Sequence, residues 1–254
     1  MRHILITGAS SGIGAALARA YAGPEVVLSL TGRDRARLDE VAAACRTRGA
    51  DADTAVMDVT DRTALAVWIK DRDGTLPLDV VIANAGISAG TGGSVESADQ
   101  TRRIFAANID GTVNTVLPAI EAMKPRRRGQ IAIVSSLAGY RGMPGAPAYS
   151  ASKGAIKLWG EGLRGALARD GVQVSVICPG FVMTGMTKVN RFPMPFLMTA
   201  DRAAGIIVKG LQNGRGRISF PWPTATMAWI AATLPDALVD RLTRHLPSKE
   251  RDAG

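Results

Sequence analysis

Cysteine and histidine are scarce in this 254-residue chain, with two of each. Two thiols, Cys45 and Cys178, are too few for a disulfide framework. Each lies in an apolar run, so both are read as buried free thiols in a reducing compartment. His3 and His245 stand near opposite ends of the chain, and no cluster has metal-ligand spacing, so no metal is expected. No apolar run reaches the ~20 residues of a membrane span. Arg2 is followed by only a short strand-like run, unlike the apolar core of a signal peptide, and the expected compartment is the cytoplasm. Acid is also in deficit, with 22 carboxylates against 31 lysines and arginines and a net charge of +9. Such a balance suits nucleic acid, an anionic membrane surface, or an anionic cofactor or substrate. The basic residues are scattered, except for Arg126-Arg127-Arg128, which falls between a helix pattern and a strand pattern and reads as a solvated loop. Nucleic-acid binding is therefore not expected.

What is present is a regular alternation. Apolar strand-like runs occupy His3–Thr7, Val26–Leu30, Thr54–Met57, Val80–Ala83, Gln130–Val134, Val172–Ile177 and Arg217–Phe220. Helical spacing fills the intervals at Ile13–Tyr21, Arg35–Thr47, Thr63–Lys70, Ala98–Asn108, Thr112–Met123, Tyr149–Ala168 and Ala200–Leu211. Ser97 and Asp110 stand where helix caps belong. Near-continuous apolar strands separated by helices predict an α/β fold with a doubly wound parallel sheet. No linker or repeat interrupts residues 1–254, so a single domain is expected.

Two patterns carry chemistry. Tyr149 and Lys153 are four residues apart in a helical segment, which sets a phenol and an ammonium on one face. A tyrosine ordinarily holds its proton to a pKa of ~10, and a cation within ~4–6 Å favours the phenolate. Ser136, just after Gln130–Val134, offers a hydroxyl to a substrate oxygen. The second pattern, Gly8-x-x-x-Gly12-x-Gly14, follows a strand and opens a helix. There a glycine turn lets the backbone approach a pyrophosphate at a helix N-terminus.

Together, Tyr149-x-x-x-Lys153, Ser136, Asn108, the string Thr7-Gly8-Ala9-Ser10-Ser11-Gly12-Ile13-Gly14 and Asn84-Ala85-Gly86 resemble the short-chain dehydrogenase/reductase family over roughly residues 1–220. The resemblance implies a Rossmann-type fold and an oxidoreductase that interconverts a carbonyl and an alcohol on a nicotinamide cofactor. It makes Tyr149 the acid–base, helped by Lys153, which would lower its pKa and bond the nicotinamide ribose. Ser136 would orient the substrate oxygen. Asn108 would hold a relay water through Lys153, although an asparagine there could simply bend its helix. Gly8, Ser10, Ser11, Gly12, Ile13 and Gly14 would form the phosphate turn. Asp58 and Val59 would meet the adenine unless Asp58 caps the next helix, and Asn84, Ala85 and Gly86 would line the adenine-ribose side. Pro179, Gly180, Val182 and Thr184 would surround the nicotinamide. At the end of the second strand, Gly32 occupies the family's acidic NAD-selecting position and Arg33 the basic one that pairs with a 2′-phosphate. NADP(H) is therefore favoured and NAD(H) left open, with a bare helix-capping role the alternative for Arg33.

Residues 181–199, rich in Met183, Met186, Phe192, Met194, Phe196, Leu197 and Met198, resemble the family's substrate lid and suggest an apolar ketone or aldehyde. A lid packed only on its own core is the other reading. The tail, about 222–247, is expected to cap the pocket or pack on a neighbouring subunit, a plain structural appendage being another reading. Trp222, Trp229, Arg241, Arg244 and Lys249 keep a membrane-surface reductase of lipid-like substrates as an alternative. Gly154, Gly160, Gly162 and Gly165 permit close packing of a helix that in relatives builds a dimer face, so a homodimer or homotetramer is expected. A non-catalytic, cofactor-binding scaffold or sensor is the remaining alternative.

Overall fold

The computed structural model describes residues 1–89, 91, 95–188, 190 and 192–243. Its first half alternates strictly: β1 (Arg2–Thr7), α1 (Gly12–Tyr21), β2 (Val26–Gly32), α2 (Arg35–Arg46), β3 (Asp51–Val56), α3 (Arg62–Thr75) and β4 (Val80–Ala83). Helices α4 (Ala98–Phe105) and α5 (Gly111–Met123) then lead to β5 (Gly129–Val134), the long α6 (Pro147–Leu167) and β6 (Val172–Pro179). The chain ends through β7 (Val182–Met183), α7 (Gly185–Lys188), β8 (Met198–Thr199), α8 (Ala200–Gln212), β9 (Arg217–Phe220), α9 (Trp222–Thr233) and α10 (Asp236–Thr243).

Seven parallel strands form one sheet in the order β3-β2-β1-β4-β5-β6-β9. The central strands are apolar because helices cover both faces. One apolar cluster joins Ile4, Ile6, Leu28 and Leu30 to α1, α2 and α8. The other joins Leu5, Val81, Ile131 and Ile133 to α3, α5 and α6. The chain winds outward from β1 to β3, then resumes at β4 on the other side. That reversal opens a crevice at the carboxyl ends of β1 and β4, where ligands bind in such sheets.

The sequence reading needs four corrections. Strand β3 begins at Asp51, three residues before the apolar run, because it is an edge strand with Asp51 and Asp53 turned outward. Helix α3 continues past Lys70 to Thr75, its polar last turn held by an Arg72–Asp53 ion pair at 2.8 Å. Asp110 caps nothing: α4 and α5 are joined by a π-helical turn, Ala106–Asp110, whose residues stay helical, whereas Ser97 does close a capping box with Gln100. The arginine triplet is not simply solvated. Arg126 pairs with Asp73 at 2.9 Å and donates to the Leu78 carbonyl, Arg128 pairs with Asp79, and Arg127 donates to the Arg169 carbonyl. Both cysteines are buried and free.

Candidate active site

A groove of about 1100 Å³ runs across the carboxyl ends of the strands. Of the site residues expected from the sequence, all but Gly14 and Asn108 line it. Those two stand behind the wall. Gly8 has φ +66°, and a Cβ there would lie 2.8 Å from the Ala85 Cα. A Cβ on Gly14 would lie 2.2 Å from the Gly8 carbonyl oxygen, so the turn closes only with glycine at both positions. The Asn84 amide locks it from the other side by donating to the Thr7 and Gly8 carbonyls at 3.0 and 3.1 Å. This bare backbone in front of α1 is the kind of concavity that accepts a pyrophosphate.

Beyond the turn, the two helix-capping alternatives fall to neighbours. Asp34 caps α2 by accepting from the Arg37 N–H, and Asp61 caps α3 by accepting from the Ala64 N–H. Arg33 and Asp58 are left facing the groove and each other, 3.9 Å apart. Asp58 accepts from the Thr60 N–H and hydroxyl, and the backbone bond above all holds its carboxyl below the ordinary aspartate range. A Cβ on Gly32 would meet the Ser10 Oγ at 2.9 Å, so a larger side chain there would displace Ser10.

At the other end the catalytic candidates converge. Helix α6 starts at Pro147, which places Tyr149 and Lys153 on its first two turns. The segment after β5 supplies Ser136, whose hydroxyl accepts from the Ala138 N–H at 3.1 Å and hydrogen-bonds the Tyr149 phenol. Burial pushes the phenol pKa up, and the Ser136 bond pulls only partly against it. The lowering expected from Lys153 does not prevail, because burial of the phenol is the larger effect. The ammonium donates to the Val134 carbonyl at 2.9 Å and sits 5.9 Å from the Tyr149 ring centre. Burial lowers Lys153 itself from 10.5 to about 8.

Asn108 lies in the π turn, fully buried. Its Oδ1 accepts from the Ile87 N–H at 2.7 Å, and its Nδ2 donates to the Ile87 carbonyl and to Ser152 Oγ. A Cβ on Gly86 would come within 3.0 Å of Asn108 Oδ1 and 3.2 Å of Lys153 Nζ. The glycine ending Asn84-Ala85-Gly86 therefore lets Asn108 and Lys153 approach one another.

The lid-like segment divides its apolar side chains. Met198 is buried, Phe181 and Phe192 meet edge to face at 6.1 Å, and Met186 lines the groove. Met183, Phe196 and Leu197 face outward. Helix α9 supplies a wall that the sequence reading did not assign in detail, with Thr224, Met227, Ala228 and Ala231 lining the groove. Arg141 ties the following turn down, donating to the Leu234 carbonyl and pairing with Asp236. Arg244, His245, Leu246 and Lys249 lie outside the described residues.

Two cationic groove residues escaped the sequence reading. Arg37 pairs with Asp34 at 3.2 Å, whereas Arg103 has no carboxylate partner among the described residues. Neither sits in a motif, so only the fold could find them. Among the described residues, no cluster of three His, Cys, Asp or Glu could hold a metal, and no helix is long and apolar enough to cross a membrane.

Comparison with known proteins agrees with this architecture. A family model described as short chain dehydrogenase matches residues 2–193. An uncharacterized oxidoreductase of Myxococcus xanthus (strain DK1622) is 37% identical over 246 residues, covering 96% of this chain and 97% of the relative. Among solved structures, a 3-oxoacyl-[acyl-carrier protein] reductase with bound NAD from Brucella melitensis is 28% identical, with a TM-score of 0.74 over 86% of this chain and 88% of that one. A short-chain dehydrogenase from Sphingobium yanoikuyae in complex with NADPH superposes at a TM-score of 0.81 and 23% identity, covering 100% and 99% of the two chains. On the family match and the Myxococcus relative, this chain belongs to the short-chain dehydrogenase/reductase family of oxidoreductases.

Proposed function

We propose that this enzyme is an NADP(H)-dependent oxidoreductase that interconverts an apolar carbonyl compound and its alcohol. The observation that carries the reading is the convergence of Ser136, Tyr149 and Lys153 at one end of the groove that the glycine turn opens. A scaffold or sensor would have no use for all three.

The residues at the turn fit a dinucleotide. Gly8, Ser10, Ser11, Gly12 and Ile13 would hold the pyrophosphate, and Gly14 lets the turn close. Asp58, Val59, Asn84, Ala85 and Gly86 would take the adenosine side, while Pro179, Gly180, Val182 and Thr184 would take the nicotinamide side. When bound, the cofactor supplies the hydride. In reduction, Tyr149 Oη gives its proton to the substrate oxygen, and in oxidation it takes one back. Ser136 Oγ holds that oxygen. Lys153, one turn further along α6 than Tyr149, supplies the positive charge that stabilises the phenolate left behind. Asn108 holds the Gly86–Ile87 segment against Lys153, and its place in the π turn supports the bent-helix reading of this residue.

The preference for NADP(H) rests on Arg33. It is released from capping, faces the groove beside Asp58, and stands next to a Gly32 that cannot gain an acidic side chain without moving Ser10. The apolar substrate rests on Met186, Leu137, Phe181, Met227, Ala228 and Ala231, which wall the groove beyond Tyr149. Residues 181–199 would act as the lid and α9 as a fixed side of the pocket. We further propose a homodimer or homotetramer built on α5 and α6.

The decisive experiment is a titration with NADPH and NADH followed by nicotinamide fluorescence. NADPH is expected to bind at least tenfold more tightly, and Arg33→Ala to erase that margin, since a charge-assisted hydrogen bond is worth about 1.5–3 kcal/mol. Preference for NADH would overturn the cofactor assignment. Tyr149→Phe should leave NADPH affinity within a few fold while carbonyl reduction falls by about 10²–10⁴; full activity in that variant would sink the acid–base role.

A further inference from the structure

Helix α6 carries Tyr149 on its first turn, yet its own sequence gives that turn no cap. A helix leaves its first N–H groups without intrahelical partners, and an N-cap Ser, Thr, Asp or Asn ordinarily accepts from the second or third. Here the N-cap residue is Ala146, with no side-chain acceptor. Pro147 follows and has no N–H to satisfy. The N–H groups of Ala148 and Tyr149 remain, in a part of the protein that water does not reach freely: Ala148 is buried and packed with Ala89 and Ile104.

Both are met from far away in the chain. Glu96, 7% exposed and just before α4, places Oε1 3.1 Å from the Ala148 nitrogen and 3.3 Å from the Tyr149 nitrogen. A single carboxylate oxygen, 52 residues distant from Ala148, thus performs the work of the missing cap. Its negative charge sits at the positive end of the helix dipole, the arrangement that stabilises a buried carboxylate. The same segment is fastened a second time, where the buried Thr91 donates to the Gly145 carbonyl at 3.1 Å. No atom of Glu96 lines the groove, so it does not touch the reacting groups.

We propose that Glu96 is the positioning residue of the active site: its carboxylate caps α6 and thereby sets the Tyr149 backbone, and with it the phenol, against Ser136. The proposal rests on the reading of Tyr149 as the acid–base. It is tested by readouts that do not require turnover, so failure of one reading is distinguishable from failure of the other.

The chain has three tyrosines, so selective ¹³Cζ-tyrosine labelling resolves Tyr149 from Tyr21 and Tyr140. In Glu96→Ala, amide exchange at Ala148 and Tyr149 is expected to accelerate at least tenfold, and the Tyr149 ¹³Cζ resonance to move while the other two stay. Glu96→Gln keeps an acceptor oxygen and should restore both readings. Adding Ala146→Ser to Glu96→Ala supplies a local cap and should also restore them, which keeps the test meaningful if the single alanine variant folds poorly. Unchanged protection and an unmoved resonance in Glu96→Ala would overturn the proposal. So would a loss that neither Gln nor the Ala146→Ser cap repairs, because the acceptor would then not be the cause.

Discussion

At the scale of single residues, the most informative group is Lys153. Its ammonium is buried against the Val134 carbonyl and titrates near 8, down from 10.5. That drop corresponds to roughly 3 kcal/mol against the charged form, partly offset in stability by the Val134 hydrogen bond. The native state releases this proton at about 8 and the unfolded chain only near 10.5, so between those values the unfolded state binds more protons. Stability is therefore penalised fully below about 8 and recovers as pH rises through that window. Lys153→Met should accordingly hold or raise the Tm at pH 7 while turnover collapses, a comparison that calorimetry and an activity assay make directly. The same titration should shape catalysis. In reduction, kcat/KM is expected to fall as pH rises past about 8, where the cation that supports the phenolate is lost. A flat profile up to pH 10 would show that the lysine charge is not needed. Tyr149 and Lys153 were legible as a pair from their spacing. The direction of the Tyr149 shift was not, since it depends on how much water the fold removes.

At the scale of elements, α6 shows how alike residues become different once packed. Its glycines read identically in sequence, as small residues that cost helix propensity. A Cβ on Gly160 would lie 2.7 Å from Val176 Cγ2 and 3.0 Å from Ile133 Cδ1, so this glycine lets the helix settle on the sheet. Gly162 meets nothing within 4 Å. Gly160→Ala is therefore expected to destabilise the enzyme by about 1–3 kcal/mol through overpacking. Gly162→Ala should stabilise it by up to about 1 kcal/mol through helix propensity. Urea denaturation of both variants checks the contrast, and equal effects would mean that the packing does not distinguish them. The other elements follow a similar division. Central strands β1, β4 and β5 stand out as apolar runs because both their faces are covered, while the edge strand β3 and the polar last turn of α3 were misjudged because half of each faces water. The π turn at Asn108 joins two helices that periodicity alone splits, with an Asp110 that resembles a cap and is not one.

For the molecule as a whole, two groups of exposed apolar side chains stand out on helices, besides Met183, Phe196 and Leu197 of the lid-like segment. One comprises Leu117 of α5 and Leu158 of α6. The other is α9, with Trp222 78% exposed and Met227, Trp229 and Ile230 also outside. If α5 and α6 form the subunit interface, Leu158→Lys should lower the mass seen by sedimentation from an oligomer toward the 26.6 kDa of one chain. An unchanged oligomer would place the interface elsewhere.

The sequence by itself determined the order of strands and helices, the glycine turn, the Tyr149–Lys153 spacing and Ser136, because each depends on neighbours a few residues apart. Tertiary structure alone decided what lies between distant segments. It brought Arg33 to Asp58, Asn108 to Ile87 and Ser152, α9 to the groove wall, and Glu96 to the start of α6. These contacts arise where the sheet reverses direction and segments far apart in the chain must share the crevice. The burial that raises Tyr149 and lowers Lys153 has the same origin, since the dielectric around a side chain is set by all that packs over it.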